Sequence, residues 1–270
     1  MRPILVTGGT GTLGRHVVTR LTDAGCDVRV LSRTSHDDSE GIEFVTGDLD
    51  TGEGIVAAVD GAKIIVHCAG TTKGDDHKTR ALVQAAERSG VAHLVYISVV
   101  GAERVRLVSG IDRALFGYFG SKRAAEQVVA NSGLPWTTLR ATQFYDAFVI
   151  IGRQMAKMPV IPVPSGFRFQ PVDTGEVAAR LVELALGGPA GLVADMAGPE
   201  AYPMAALLRG YLRARGKHRA IVPVRFPGQA ARAVREGSNL PLNQAVGTRT
   251  WEDFLAERTS ADSTARSGRS

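Results

Sequence analysis

A glycine-rich segment near the N-terminus carries the residues with the clearest chemistry. The segment GGTGTLG (residues 8–14) fits G-x-x-G-x-x-G and, read from Gly9, G-x-G-x-x-G. It lies between an apolar run (4–7) that predicts a strand and a periodic stretch that predicts a helix. Glycines there let the backbone approach a phosphate, and a helix N-terminus offers free N–H groups and a partial positive charge. The motif therefore predicts a dinucleotide site whose ligands are Gly8, Thr10, Gly11, Thr12, Leu13 and Gly14.

Polar residues at the end of the second predicted strand bear on which dinucleotide binds. An acidic residue at this position hydrogen-bonds the ribose hydroxyls and repels a 2′-phosphate. The chain has Ser32 and Arg33 there, followed by Thr34 and Ser35, so that hydroxyl and guanidinium groups replace the carboxylate. Such groups are good phosphate ligands. We therefore expect NADP(H) to be preferred over NAD(H), with Ser32 and Arg33 among its ligands.

Strand and helix patterns alternate along the first half of the chain and must position these residues. Strands are predicted at 4–7, 27–32, 42–46, 63–67, 94–98 and 136–140, and helices at about 12–24, 75–90 and 121–131. This alternation predicts the α/β class, with a doubly wound, Rossmann-like parallel sheet covered on both faces. From about residue 142 the alternation loosens, which indicates a small C-terminal region on the substrate side of the pocket. We expect one domain over 1–258 and, because 259–270 are small and polar, a disordered tail there.

Composition and charge argue against several other classes of protein. The 270 residues are 44% hydrophobic and 22% charged, which suits one sizeable core. No run approaches the ~20 apolar residues of a membrane span, and no signal peptide is evident, so we expect no membrane partner and a cytoplasmic location. The net charge of +5 raises the question of whether the protein binds nucleic acid. The arginine-rich segment 209–235, however, lacks the interleaved aromatic residues typical of such proteins. We expect no nucleic-acid partner.

The cysteines and histidines do not have the spacing of a metal site. Cys26 and Cys68 lie far apart in the sequence and are interpreted as reduced core thiols. The six histidines form neither H-E-x-x-H nor H-x-x-x-H. The sequence therefore predicts no bound metal ion.

Seven short motifs, in order, resemble one known superfamily. They are VTGGTGTLG (6–14), GDL (47–49), HCAGTT (67–72), YIS (96–98), YFGSK (118–122), LPWTTLRATQF (134–144) and FQPVDTGEVA (169–178). Together they resemble the extended and atypical short-chain dehydrogenase/reductases, in their NmrA-like branch of NAD(P)-binding proteins. The resemblance covers roughly residues 3–200 and implies a Rossmann-type fold with a bound nicotinamide dinucleotide.

The resemblance also implies further cofactor residues. It places Asp48 and Leu49 of the GDL segment at the adenine, and Ala69, Gly70 and Thr71 along the cofactor. The stretch 141–144 is implied to lie near the nicotinamide.

Tyr118 and Lys122 form the Y-x-x-x-K pair of that superfamily. Residues four apart share one face of a helix, so both could reach the nicotinamide ribose and the substrate oxygen. A nearby ammonium group favours the phenolate, so we expect Lys122 to lower the pKa of Tyr118 from about 10 toward neutrality. Tyr118 would then move the proton as a catalytic acid/base, and Lys122 would hold the ribose.

Three departures from the family pattern keep a packing role for Tyr118 open. Val99–Val100 stand where the superfamily usually has an active-site Ser or Thr, and Ser98 is expected to lie one position early, within the strand. Gly117 and Gly120 weaken the helix that would present Tyr118. Some NmrA-like proteins, moreover, bind the nucleotide without evident turnover.

Residues after the sixth predicted strand are the candidates for substrate contact. Gln143, Phe144 and Tyr145 come first, with further aromatic and methionine side chains behind them. Aromatic and thioether walls suit a flat apolar acceptor such as a quinone or a polyketide-like carbonyl.

Three functions are compatible with these residues. The sequence favours an NADP(H)-dependent oxidoreductase that reduces a small apolar carbonyl or quinone-like substrate by hydride transfer. A non-catalytic, NADP(H)-responsive redox sensor is the alternative, and a nucleotide-sugar epimerase or dehydratase is a weaker one. Each has a small-molecule ligand, and a homodimer is left open.

Overall fold

A parallel sheet of seven strands forms the centre of the computed structural model, which describes residues 3–71, 74–242 and 247–267, with the backbone alone from 261. The strands in the described residues are β1 (Ile4–Thr7), β2 (Val28–Ser32), β3 (Ile42–Thr46), β4 (Ile64–His67), β5 (His93–Val99), β6 (Trp136–Ala141), β7 (Val160–Pro164), β8 (Arg168–Phe169), β9 (Gly191–Leu192), β10 (Tyr202–Pro203) and β11 (Ala220–Val224). The central sheet has the order β3-β2-β1-β4-β5-β6-β9, and every pairing in it is parallel. The strand order reverses between β1 and β4, which is where open α/β sheets bind ligands at their carboxyl edge.

Helices cover both faces of this sheet. The helices in the described residues are α1 (Thr12–Asp23), α2 (Ile55–Val59), α3 (Asp75–Ser89), α4 (Gly110–Ala130), α5 (Tyr145–Met155), α6 (Thr174–Gly187), α7 (Met204–Ala214), α8 (Gln229–Arg235) and α9 (Trp251–Ser267). Residues of α1 and α6 share one core cluster with Val6, and residues of α2, α3 and α4 share another with Leu5. Neighbouring strand residues thus face opposite layers. The predicted doubly wound fold is confirmed.

Helix α4 begins well before its predicted start at residue 121. A capping box opens it at Ser109, whose hydroxyl accepts from the Asp112 N–H at 3.1 Å while the Asp112 carboxylate accepts from the Ser109 N–H at 3.0 Å. Such a box satisfies two of the free N–H groups at a helix start. The cap and packing against α8 outweigh the low helix propensity of Gly117 and Gly120, so both Tyr118 and Lys122 lie on one continuous helix.

The C-terminal elements form a separate core cluster beside the sheet. Buried side chains of α5, β7, α7 and α9 meet there, among them Tyr145, Leu207 and Trp251. Helix α9 continues to Ser267, where the sequence predicts a disordered tail over 259–270. The Thr259 and Ser260 hydroxyls donate to backbone carbonyls one turn earlier, so these small polar residues continue the helix. Residues 268–270 lie outside the described part of the chain.

Two further observations concern partners and thiols. Across residues 3–71, 74–242 and 247–267, none of the helices has the length and apolar character that crossing a bilayer requires. Cys26 and Cys68 are free thiols, and both are half-buried rather than fully enclosed in the core.

Candidate cofactor-binding and active site

The glycine-rich turn joins β1 to α1 in a conformation that excludes side chains. Gly8 has φ +70°, and a Cβ there would lie 2.7 Å from the backbone nitrogen of Ala69. A Cβ on Gly14 would lie 2.0 Å from the Gly8 carbonyl oxygen. Gly11 caps α1 without a side-chain hydrogen bond, and the first turn carries no acidic residue. The Gly11 N–H donates to the Gly8 carbonyl at 2.9 Å, so the N–H groups that follow Gly11 at the start of α1 are the ones available to an anion such as a pyrophosphate.

Two cavities meet at this turn. One has a volume of about 270 Å³ and the other about 380 Å³, and both are lined by Gly8, Gly11, Cys68 and Gly70. A ligand with two large ends and an anionic middle fits this arrangement, because the shared wall coincides with the N-terminus of α1. The geometry matches the shape and charge of a dinucleotide.

The smaller cavity brings together residues from four sites in the sequence. Its walls include the predicted residues Thr10, Ser32, Arg33, Asp48, Leu49, Ala69, Gly70 and Thr71. The Ser32 hydroxyl lies 3.1 Å from Nε2 of His36 and accepts from the Thr34 N–H at 3.2 Å. Lys78 also lines the cavity and pairs with Asp50 at 3.1 Å.

Two basic residues near the smaller cavity were missed by sequence reasoning. Lys78 lies one turn into α3, and His36 lies four residues beyond Ser32. The sequence signal that could have identified them is their position: His36 follows the predicted strand 27–32, and Lys78 lies near the start of the predicted helix 75–90. His36 brings a ring nitrogen to the Ser32 hydroxyl, and Lys78 brings an ammonium group to the cavity wall beside Asp50.

The larger cavity contains buried polar atoms without partners. It is lined by Gly11, Thr12, Leu13, Gly14, Ile97, Ser98, Val99, Tyr118, Lys122, Ala141, Thr142, Gln143, Phe144 and Ala147, among others. The Ser98 hydroxyl and the Oε1 atom of Gln143 are buried and have no hydrogen-bond partner among the residues that the structure describes. Buried polar groups are normally paired, so these two atoms are suited to a bound ligand. Ser98 lies within β5, as predicted, and is one of the residues that line the cavity.

Lys122 lies buried at the wall of the larger cavity and is held by three groups. Its Nζ atom is 3.1 Å from Oδ2 of Asp75, and it donates to the Ile97 carbonyl at 3.2 Å and to the Tyr96 hydroxyl at 3.4 Å. A Cβ on Gly70 would lie 2.8 Å from Nζ, so Gly70 leaves room for the ammonium group. A buried ammonium is stable only with a countercharge, which Asp75 supplies.

Asp75 is a site residue that sequence reasoning missed. It is the first residue of α3, and its Oδ1 atom accepts from the Thr71 N–H at 2.6 Å. Its own N–H donates to the Ser121 hydroxyl at 3.0 Å, one residue before Lys122. The only local signal was an acidic residue after Gly74, which is typical of any helix start.

Tyr118 differs electrostatically from the prediction. Desolvation and, second, the negative charge of Asp75 raise the pKa of Tyr118 to about 12, whereas the sequence predicts a lowered pKa. The physical reason is that Lys122 is already neutralised by Asp75, and its Nζ lies 6.0 Å from the centre of the Tyr118 ring. At neutral pH the phenol is therefore protonated and can donate, not accept, a proton.

His67 is a structural group beneath the site. Burial and, second, the charge of Lys122 lower the pKa of His67 to about 3, so the ring is neutral. The Thr79 hydroxyl uses its single hydrogen to donate to the Asp75 carbonyl at 2.6 Å. It must therefore accept the hydrogen bond from Nε2 of His67 at 3.1 Å. Nδ1 then accepts from the Thr7 hydroxyl at 2.6 Å. This chain of hydrogen bonds ties the ends of β1 and β4 to α3, which carries Asp75.

The predicted substrate residues divide into two groups. Gln143 and Phe144 line the larger cavity, but Tyr145 does not. Tyr145 is fully buried in the C-terminal core, where its hydroxyl donates to the Arg249 carbonyl at 2.7 Å and its ring packs on Trp251. The prediction for Tyr145 fails because the residue opens α5 and the phase of the helix turns it away from the cavity.

The site contains one thiol, Cys68, and its residues can also be compared with the arrangement that a metal ion requires. Burial raises the pKa of the Cys68 thiol to about 12, so it is an unreactive wall of both cavities. Among the residues that the structure describes, no group of three or more His, Cys, Asp or Glu side chains is arranged to hold a metal ion.

Comparison with known proteins identifies the family. A family model described as NAD(P)H-binding matches residues 8–163, more than half of the chain. A (4-alkanoyl-5-oxo-2,5-dihydrofuran-3-yl)methyl phosphate reductase of Streptomyces griseus is 32% identical over 204 residues, covering 73% of this chain and 68% of that protein. A ceramide reductase of Caulobacter vibrioides is 29% identical over 246 residues, covering 83% and 74%.

A solved structure supports the same fold. The NADPH-dependent quinone oxidoreductase QOR2 of Escherichia coli, complexed with NADPH, superimposes with a TM-score of 0.78 at 17% identity, covering 94% of this chain and 99% of that one. The family model, the relatives and the fold agree with the series of motifs in the sequence. The chain belongs to the NAD(P)H-binding family, as the ordered motifs in its sequence predict.

Proposed function

We propose that this chain is an NADP(H)-dependent reductase of small apolar carbonyl or quinone-like compounds. The observation that carries the proposal is the larger cavity, where the hydroxyls of Ser98 and Tyr118 and the ammonium of Lys122 lie beside the glycine-rich turn. The relatives named above as reductases, and the neighbour complexed with NADPH, support the same class of reaction.

The residues proposed to hold the cofactor follow from the two cavities. The adenosine end would lie between Arg33 and Asp48, the pyrophosphate at the N-terminus of α1, and the nicotinamide end near Lys122 and Gln143. A nicotinamide bound there would supply the hydride for the reduction. The unpartnered Oε1 atom of Gln143 is suited to accept from an amide N–H group of the ligand.

Tyr118 is proposed to donate the proton that balances the hydride. Reduction of a carbonyl adds a hydride to carbon and a proton to oxygen, which yields an alcohol; a quinone yields a hydroquinone. Because its pKa is raised to about 12, Tyr118 holds its proton until the substrate oxygen becomes strongly basic. The Ser98 hydroxyl would donate a second hydrogen bond to that oxygen. Tyr118 is 36% exposed, so it can regain a proton from water.

NADP(H) is proposed over NAD(H) because of the groups at the end of β2. Arg33 is exposed at the smaller cavity, and the Ser32 hydroxyl and His36 ring lie within 3.1 Å of each other. A guanidinium and neighbouring hydroxyl groups suit a 2′-phosphate. The Asp50 carboxylate also lines this cavity, but it is paired with Lys78, which reduces its repulsion of a phosphate.

The test measures NADPH oxidation at 340 nm with a panel of quinones and apolar aldehydes. The wild-type chain should turn over at least one class, and Tyr118→Phe should lower kcat by about 10²–10⁴-fold while NADPH still binds. Tyr211→Phe, a buried tyrosine outside the cavity, is the matched control and should retain activity. Tight NADPH binding without turnover on any substrate would instead favour the redox-sensor alternative.

A further inference from the structure

Helix α4 packs against the sheet layer through Ala125 and Val129 and against α8 through Phe119, yet it also carries exposed aliphatic side chains. Phe116 and Phe119 belong to a core cluster with residues of α8 and with Phe167. On another face, Ile111 is 52% exposed and Leu115 is 50% exposed. Exposed aliphatic side chains that recur along one helix face indicate a binding surface when they continue a site.

This unpacked face continues directly from the candidate active site. From Lys122 the residues at intervals of four, three and four are Tyr118, Leu115 and Ile111, which lie in one row on the helix. Their exposed fractions rise along the row: Lys122 4%, Tyr118 36%, Leu115 50% and Ile111 52%. Val108, just before the Ser109 cap of the helix, is 58% exposed. The row therefore begins in the wall of the cavity and ends on the surface. Leu115, Ile111 and Val108 are called the apolar track.

The size of the track favours one kind of occupant. At about 1.5 Å per residue, the helical part of the track reaches roughly 10 Å beyond Tyr118, which is the scale of an alkyl chain and not of a protein interface. A stable dimer buries roughly 800 Å² on each partner, and three half-exposed aliphatic side chains supply far less. The larger cavity, at about 380 Å³, has room for a ring or carbonyl group beside a nicotinamide but not for a long chain as well.

We propose that the apolar track binds an alkyl chain attached to the reducible group of the substrate. The inference rests on the proposed function and specifies its substrate class: a quinone or carbonyl compound with a linear chain of about ten carbons. The reducible group lies at Tyr118 and Ser98, and the chain leaves the cavity along Leu115 and Ile111. Covering a methylene on one side contributes about a twofold gain in affinity, since full burial contributes about 0.8 kcal/mol.

The test compares two quinones that differ only in the chain. NADPH oxidation is measured with a benzoquinone bearing a methyl group and with the same ring bearing a decyl group. The wild type should show a KM at least tenfold lower for the decyl compound. Ile111→Ser with Leu115→Ser should raise that KM at least fivefold and leave kcat/KM for the methyl compound within twofold. Leu186→Ser, a leucine of α6 that is 51% exposed, is the matched control and should change neither.

A direct binding measurement separates this inference from the proposed function. Dansyl-labelled undecanoate, titrated into the NADPH-loaded chain, should bind the wild type and Leu186→Ser equally and the double variant at least fivefold more weakly. This result would support the track even if no quinone is reduced. Equal binding by all three proteins would overturn the inference. A wild-type dimer in sedimentation velocity that the double variant dissociates would overturn it too, because a second copy would then cover the track.

Discussion

The buried ion pair between Asp75 and Lys122 offers the sharpest perturbation of the site. Asp75→Asn keeps the size of the side chain and the oxygen that accepts from the Thr71 N–H, but it removes the charge opposite Lys122. Both side chains are at most 5% exposed, so solvent cannot replace that charge. Breaking one partner of a buried pair costs about 3–5 kcal/mol. We expect the lower value, about 3 kcal/mol, because the Ile97 carbonyl and the Tyr96 hydroxyl still accept hydrogen bonds from Lys122 in the variant.

The loss of stability should be visible in thermal unfolding. For a chain of this size, 1 kcal/mol corresponds to roughly 2–4 °C, so a loss near 3 kcal/mol lowers Tm by about 6–12 °C. Asp76→Asn, at the next position of the same helix turn, is the control and should lower Tm by no more than about 2 °C. Adding Lys122→Met to Asp75→Asn should recover most of the loss, because the double variant has no unbalanced charge buried at this position.

The same substitution should change the titration of Tyr118. Asp75 raises the pKa of Tyr118, so its removal leaves the Lys122 charge unbalanced and lowers that pKa below about 12. Tyrosinate absorbance against pH, compared with the same variant carrying Tyr118→Phe, isolates this group. Unchanged stability in Asp75→Asn, or a Tyr118 pKa that stays in place, would refute the view that Asp75 balances Lys122.

Three further predictions concern the cofactor, the pH dependence and the helix α4. Arg33→Ala should weaken NADPH binding by about 10–100-fold in calorimetry, as expected for loss of a charge-assisted hydrogen bond, and leave NADH nearly unchanged; equal loss for both would contradict the 2′-phosphate contact. Because the pKa of His67 is lowered to about 3, its contribution is fully present above pH 6.5 and is lost as the pH falls toward 3, by roughly 1.4 kcal/mol per pH unit. Urea unfolding should show less of this slope in His67→Gln and an unchanged slope in the exposed His77→Gln. Gly117→Ala should raise stability by about 1 kcal/mol, since its Cβ meets no atom within 4 Å, whereas Gly14→Ala should destabilise the chain; a less stable Gly117→Ala would show that this position needs glycine.

Local patterns in the sequence were sufficient for six of the seven strands of the central sheet and for the glycine-rich turn, but not for the two-residue edge strand β9. Strands such as β1 and β5 are apolar on both faces, and the turn between β1 and α1 needs glycine at Gly8 and Gly14 for steric reasons. The residues on either side of the turn therefore predict both the fold and the N–H groups that face an anion. The start of α4 was also predictable in principle, because Ser109 and Asp112 have capping-box spacing.

The features that the sequence did not predict depend on long-range packing. Asp75 meets Lys122 only when α3 and α4 lie side by side, and this contact reverses the expected effect on Tyr118. The direction of Tyr145 depends on packing against Trp251. Helix α9 continues to Ser267 although its last residues are small and polar, and the Thr259 hydroxyl donates to the Leu255 carbonyl of the same helix.

A crystal structure of the chain with NADPH tests the central proposal most directly. The proposal predicts the pyrophosphate on the N–H groups that follow Gly11, the 2′-phosphate beside Arg33, and the nicotinamide ring in the larger cavity between Gln143 and Tyr118. A nicotinamide ring outside that cavity, or one separated from Tyr118 and Ser98 by protein atoms, would contradict the proposed reductase mechanism.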